Sequence, residues 1–138
     1  MGSRHKSRER ALQMLFLWDL SRQPADDIRE SYYDLVKHGE PGAAPRDSFA
    51  EALFRGVVAS PGELDARIAR HAEHWRIERM AAVDRNILRL AVCEMATMGT
   101  PPPVVIDEAI ELARRFSNEE AAQFVNGVLD AVRRELSA

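Results

Sequence analysis

Apolar residues recur at intervals of three and four along most of the chain, the period of a helix face, and do not alternate in twos as half-buried strands require. The pattern predicts an all-α fold of about seven helices. Helix one is expected from about Arg4 to Leu20, where ALQMLFLW is apolar on nearly every side and needs several neighbours to cover it. Helix two, about Ala25 to Lys37, follows Pro24 as a first-turn proline. HGEPGAAPRD, residues 38–47, reads as a flexible Gly/Pro loop. Ser48-Phe49-Ala50-Glu51, Ser60-Pro61-Gly62-Glu63 and Ser117-Asn118-Glu119-Glu120 have the S-x-x-E form of capping boxes and start helices three, four and seven. Helix four is expected to reach about Trp75. Helix five should span about Ala81 to Met98, with Asp84, Arg85 and Arg89 on its polar side. Pro101-Pro102-Pro103 forces an extended connection. Pro103 then opens helix six, VVIDEAIELARRF, whose Asp107, Glu108, Glu111, Arg114 and Arg115 face water, with Glu111 and Arg115 paired at i,i+4.

The stretch FVNGVLDAV sets Asn126-Gly127, a dipeptide typical of tight hairpins, inside the helical period of Ala121, Phe124, Val125, Val128 and Val132. The capping signal upstream favours helix seven over a hairpin. A mid-helix glycine costs about 1 kcal/mol relative to alanine. Its expected use is a close crossing, in which a second helix passes over the missing Cβ and Asn126 bonds a neighbouring backbone group.

With 138 residues, 46% of them apolar, the chain should form a single domain, residues 1–138, with a core that needs no disulfide. Cys93, the lone cysteine, permits no internal disulfide and fits a reducing compartment. No apolar run approaches the roughly 20 residues of a membrane span, and no signal-peptide core follows MGSRHKSRER, so a cytoplasmic protein is expected. The net charge of −3 argues against a broadly basic surface. Yet Arg4, Lys6, Arg8 and Arg10 crowd the N-terminus against Glu9 alone, and residues 1–8 read as a basic arm suited to local phosphate contact.

Enzymatic chemistry finds little support. His71 and His74 stand at i,i+3, but no cysteine or further histidine joins them nearby, so no metal site and no cofactor are expected. Asp107, Glu108 and Glu111 fall on a solvent face rather than in the enclosed setting that general acid–base work needs. Glu94, among Val92, Cys93 and Met95, is expected to be half buried in a structural salt bridge with an arginine. Cys93 on an apolar helix reads as an inert buried thiol. Phosphate-loop and nucleophile-elbow motifs are absent. Binding is left, with Phe116 and Phe124 as aromatics able to stack single-stranded bases if exposed and as core residues otherwise.

SRERALQMLFLWDLS, VDRNILRLAVCEM, and P-x-x-VVIDEAIELARRF followed by FVNGVLD together resemble the NusB family of transcription antitermination factors, over nearly the whole chain. The resemblance implies an all-helical fold of two small helical subdomains and a non-enzymatic role. It implies binding of boxA-type single-stranded RNA together with Nus factor E, which is also a small-subunit ribosomal protein. The pair loads RNA onto an elongating RNA polymerase complex and helps it resist termination, and some members form homodimers. Carried over by position, the RNA surface comprises Arg4, His5, Lys6, Arg8, Phe116, Glu120, Gln123 and Phe124. The surface for Nus factor E comprises Phe16, Glu78 and Asp84. Departures from the family pattern fall at Pro103, where many members carry lysine, and at Ala121-Ala122-Gln123, where many carry a small hydroxyl and a basic residue. With fewer phosphate contacts, the isolated protein is expected to bind RNA weakly and to lean on its partner. The competing readings are an accessory domain of an RNA methyltransferase and a helical scaffold without RNA contact.

Overall fold

The structure is a computed structural model that describes residues 3–39, 47–72 and 76–137. Among these residues lie seven α-helices, one short 3-10 turn and no strand. The helices are α1 (Ser3–Ser21), α2 (Ala25–Gly39), α3 (Ser48–Ala59), α4 (Pro61–His71), α5 (Ala82–Thr97), α6 (Pro102–Phe116) and α7 (Glu119–Ser137), with the 3-10 turn at Ile77–Arg79. Most of the expected loop, residues 40–46, and the expected end of helix four, residues 73–75, lie outside the described residues. α2 continues through His38 and Gly39, which the loop reading had claimed.

α5 is the centre of the fold. It packs against α1, α3, α4, α6 and α7, and every residue from Asn86 to Glu94 is buried. A helix covered on all sides cannot show a clean polar face. α1, α2 and α3 pack on one another, α6 pairs with α7, and α4 joins α7, so α5 links two groups of helices. One hydrophobic cluster runs through both groups and includes Met14, Leu15, Phe54, Ile68, Ile87 and Leu129.

Arg89 corrects the expected polar side of this helix. It is buried, and its Nε and Nη2 donate to Asp65 at 2.7 and 2.8 Å while Nη1 donates to Asn86 at 3.0 Å. A charge tolerates burial when it is paired and hydrogen-bonded. Such a partner, 24 residues away, is invisible to periodicity.

The caps sit one residue from where the motif placed two of them. Asp47, not Ser48, caps α3, accepting from the Ala50 amide at 3.0 Å. Asn118, not Ser117, caps α7, accepting from the Ala121 amide at 2.7 Å, while Ser117 ends α6. Asp and Asn are at least as good as Ser at this position. Ser60 stands at the N-cap of α4 without a side-chain cap bond. At α6 the helix begins at Pro102, one residue earlier than expected.

The close crossing is not at Gly127. Gly127 and Asn126 are exposed, a Cβ built at Gly127 meets nothing within 4 Å, and Asn126 makes no side-chain hydrogen bond among the described residues. The tight approach is at Gly56 on α3, where a Cβ would stand 2.7 Å from Sγ of buried Cys93 on α5. Gly127→Ala should stabilise the protein by about 0.5–1 kcal/mol, by raising helix propensity and restricting the unfolded chain. Denaturant titration checks this, and a loss of stability would mean that some contact over residue 127 matters.

α4 and α7 are joined by Glu135, whose carboxylate accepts from Arg67 at 2.8 Å and from Arg70 at 3.0 Å, with His71 Nε2 at 2.9 Å. Hydrogen bonds from Arg70 and His71 pull this carboxyl down from 4.5 to about 2. A carboxyl depressed on folding stabilises the native state above its unfolded value, and that contribution fades as pH falls through the folded one. Between roughly pH 5 and 2 the wild type should lose stability faster than Glu135→Gln. Parallel acid-denaturation curves for the two proteins would show the clamp to be inert.

Candidate nucleic-acid interface

The described part of the basic N-terminus follows the expected start of helix one near Arg4. From Ser3 onward it forms the first turns of α1, held against α3, α5 and α6 by acidic side chains. Arg8 is the centre of this lock. Its Nε and Nη2 donate to the two oxygens of Glu94 at 2.8 and 2.6 Å, and Nη1 donates to Glu108 at 2.9 Å. Arg8 is 6% exposed and Glu94 1%. The hydrogen bond to Glu94, opposed by burial, raises the Arg8 guanidinium above its ordinary value. Arg8 is thus a structural cation and not a free phosphate contact, which corrects its expected place on the RNA surface. Glu94 is buried more deeply than the half-buried pair expected.

Neighbouring charges are also engaged. His5 Nδ1 lies 3.3 Å from both oxygens of Glu108, and His5 Nε2 lies 3.3 Å from Glu9. Lys6 Nζ is 3.5 Å from Glu9, and Arg115 of α6 also pairs with Glu9. Glu108 therefore turns inward toward α1 instead of facing water, and the expected Glu111–Arg115 pair is replaced by Glu111–Arg114. Asp47 accepts from Ser7 at 2.7 Å and from Arg10 at 2.8 Å. Burial would push its carboxyl up, but the Ala50 amide, Ser7 and Arg10 outweigh that and hold it below the usual range.

What the α1 turns present to solvent is narrower than the sequence suggested. Arg4 and Lys6 are exposed. Arg4 has no carboxylate partner among the described residues and lies over the Phe49 ring, 3.8 Å from its centroid. Arg115, tied to Glu9 yet with its side chain half exposed, adds a cation from the end of α6. Spacing had set it on the solvent side without revealing that it abuts α1.

Phe116 follows at the α6 terminus, half-buried. It lines an apolar cavity of about 540 Å³ with Leu12, Phe16, Leu17, Tyr32 and Leu35. Glu120 and Gln123 are exposed on the first turns of α7, and Phe124 is half-buried. Glu120 and Phe124 share a second cavity, about 290 Å³, with Arg79, Asp84 and Asn118. Of the residues expected to meet a protein partner, Phe16 is 42% exposed on the apolar cavity. Asp84 is half-buried, and its Oδ1 is buried without a hydrogen bond among the described residues. Glu78 is exposed on the 3-10 turn, beside a polar cavity with Asp19, Arg22 and Arg85. The fold thus brings Phe16 to Phe116 and Asp84 to Phe124, so the two expected surfaces meet around the start of α5, while Glu78 borders a different cavity.

This arrangement offers exposed guanidinium and ammonium groups beside half-buried rings, the combination that binds single-stranded nucleic acid. His71 is engaged by Glu135, and His74 lies outside the described residues. No helix among the described residues is long and apolar enough to cross a membrane.

Comparison with known proteins agrees with the fold. The NusB family signature matches residues 5–134. The chain is 62% identical over 136 residues to the transcription antitermination protein NusB of Solibacter usitatus (strain Ellin6076), spanning 99% of this chain and 92% of that protein. It is 53% identical over 138 residues to the NusB of Koribacter versatilis (strain Ellin345), spanning 99% and 92%. A solved structure of T. maritima NusB superposes with a TM-score of 0.81 at 32% identity, covering 96% of this chain and 91% of that one. A chain from a crystal structure of the antitermination factors NusB and NusE in complex with dsRNA superposes with a TM-score of 0.82 at 28% identity, covering 98% of each. A family match over almost the whole length, at such identity and with the same helical fold, leaves one assignment: this chain belongs to the NusB family.

Proposed function

We propose that the chain is a non-enzymatic RNA-binding transcription antitermination factor. It binds boxA-type single-stranded RNA, pairs with Nus factor E, and delivers the RNA to an elongating RNA polymerase complex. The observation that carries this reading is the exposed cations set against half-buried rings: Arg115 over Phe116, Lys6 beside it through their shared Glu9, and Arg4 over Phe49. Membership of the family supports it, as does the relative crystallised with NusE and RNA. The apolar cavity with exposed Phe16 suits an apolar segment of the partner, and acidic Asp84 and Glu78 suit a basic ribosomal protein, where complementary charge speeds encounter.

Arg8 and Arg10 are already spent on carboxylates, so few cations are left for phosphate. With Arg4, Lys6 and Arg115 as the cations nearest the RNA, the slope of log K against log salt should be no steeper than about −2. Anisotropy titration of a labelled boxA-type RNA checks this. The expected result is weak binding by the protein alone, tightened when Nus factor E is added. Tight, steeply salt-dependent binding by the protein alone would contradict the count of exposed cations. No RNA binding in either condition would leave the scaffold reading.

A second reading concerns the same apolar face. Phe16, Leu20 and Leu35 are 42%, 67% and 64% exposed, a concentration of large apolar groups on α1 and α2 that a second copy of the chain could cover. Sedimentation velocity distinguishes the two. A homodimer dispersed by Phe16→Asp supports it, and a monomer at all concentrations removes it.

A further inference from the structure

We infer that Arg4 and Phe49 together form a base-stacking ledge that carries the RNA path from α1 onto the first turn of α3. The inference rests on the RNA-binding reading above and names a residue, Phe49, that neither the sequence nor that reading assigned. Three observations carry it. The Arg4 guanidinium lies 3.8 Å from the centroid of the Phe49 ring, within the range of a formed cation–aromatic stack. Arg4 is exposed and has no carboxylate partner among the described residues, unlike Arg8 and Arg10 on the same helix. Phe49 is half-buried and packs against the core, so the ring is a fixed support beneath the guanidinium.

The surroundings select the kind of ligand. A helix N-terminus ordinarily attracts phosphate. Here that of α3 is already filled by the Asp47 carboxylate, which the Ala50 amide, Ser7 and Arg10 engage. Glu51 lies one turn on. A phosphate arriving there would meet carboxylates, whereas a neutral, planar base would not. Arginine planes stack on bases in single-stranded recognition, and a lysine cannot supply that plane. The ledge therefore takes a nucleobase, with the phosphates following Lys6 and Arg115.

The test uses boxA-type RNAs carrying 2-aminopurine at single positions, with the full chain as wild type, Arg4→Lys and Phe49→Leu, in the presence of Nus factor E. Wild type should quench one position on binding. Arg4→Lys keeps the charge and loses the plane. It should abolish that quench and weaken affinity roughly five- to ten-fold with the salt slope unchanged. Phe49→Leu should do the same, and Phe49→Tyr should restore both. Arg4 is exposed at the end of α1, so its conservative variant keeps the fold even if Phe49→Leu does not. Quenching and affinity unchanged in Arg4→Lys would overturn the ledge while leaving RNA binding intact. Failure of the wild type to bind any of the RNAs would overturn both.

Discussion

Arg8→Ala is expected to lower the unfolding free energy by about 3–5 kcal/mol. The mutation leaves Glu94, 1% exposed and buried in the middle of the fold, without its bidentate partner. It also releases Glu108 of α6. A carboxylate stranded in low dielectric costs far more than the net worth of the intact pair, because the Coulombic gain only offsets desolvation. Arg8→Lys should recover little, since one ammonium cannot reproduce three directed guanidinium bonds to two carboxylates. The double variant Arg8→Met with Glu94→Met should approach wild-type stability, because both charges are then gone. Denaturant titrations of these proteins separate the accounts. A loss below about 1 kcal/mol for Arg8→Ala would place the pair in the range of solvent-screened surface bridges.

Gly56→Val should cost about 1–3 kcal/mol, and more if α3 and α5 cannot part. The missing Cβ at residue 56 is occupied in effect by Cys93 Sγ, 2.7 Å from where that atom would stand. Cys93 has little freedom to retreat, since it is 2% exposed on the helix that five others pack against. Gly56→Ala should already destabilise, and Cys93→Ala should be less harmful in that background than in the wild type, because the clash has gone. A double-mutant cycle measures the difference directly. Strict additivity would mean that the two residues do not contest the same space.

The contrast between Gly56 and Gly127 shows what periodicity can and cannot convey. Helix existence was legible almost throughout, because apolar spacing, prolines and capping residues all report on local chain geometry. The depth of each face was not. Gly127 sits beside conspicuous Asn126 and looks functional, yet it is exposed, whereas Gly56 sits in an unremarkable RGVV and meets α5. Arg8, Arg89 and Glu108 all read as solvent charges, since hydropathy carries no information about a carboxylate brought up by another helix. The shifted cap at Asp47 has a related cause, for Ser7 and Arg10 hold that carboxylate from another helix. Of the residues expected at the site, Arg4 and Lys6 are exposed and Phe116 is half-buried. Phe49 and Arg115 joined it only through the packing of α3 and α6 on α1.

The functional account comes down to one surface, built where a carboxylate-locked α1 meets the α6–α7 joint. An amide chemical-shift map of the isotope-labelled chain, titrated with boxA-type RNA in the presence of unlabelled Nus factor E and corrected for the partner alone, tests it most directly. The RNA-dependent shifts should gather on the first turns of α1, the first turn of α3, and residues flanking the junction of α6 and α7. Shifts confined to the Glu135 clamp between α4 and α7, or none beyond those of the partner, would contradict it.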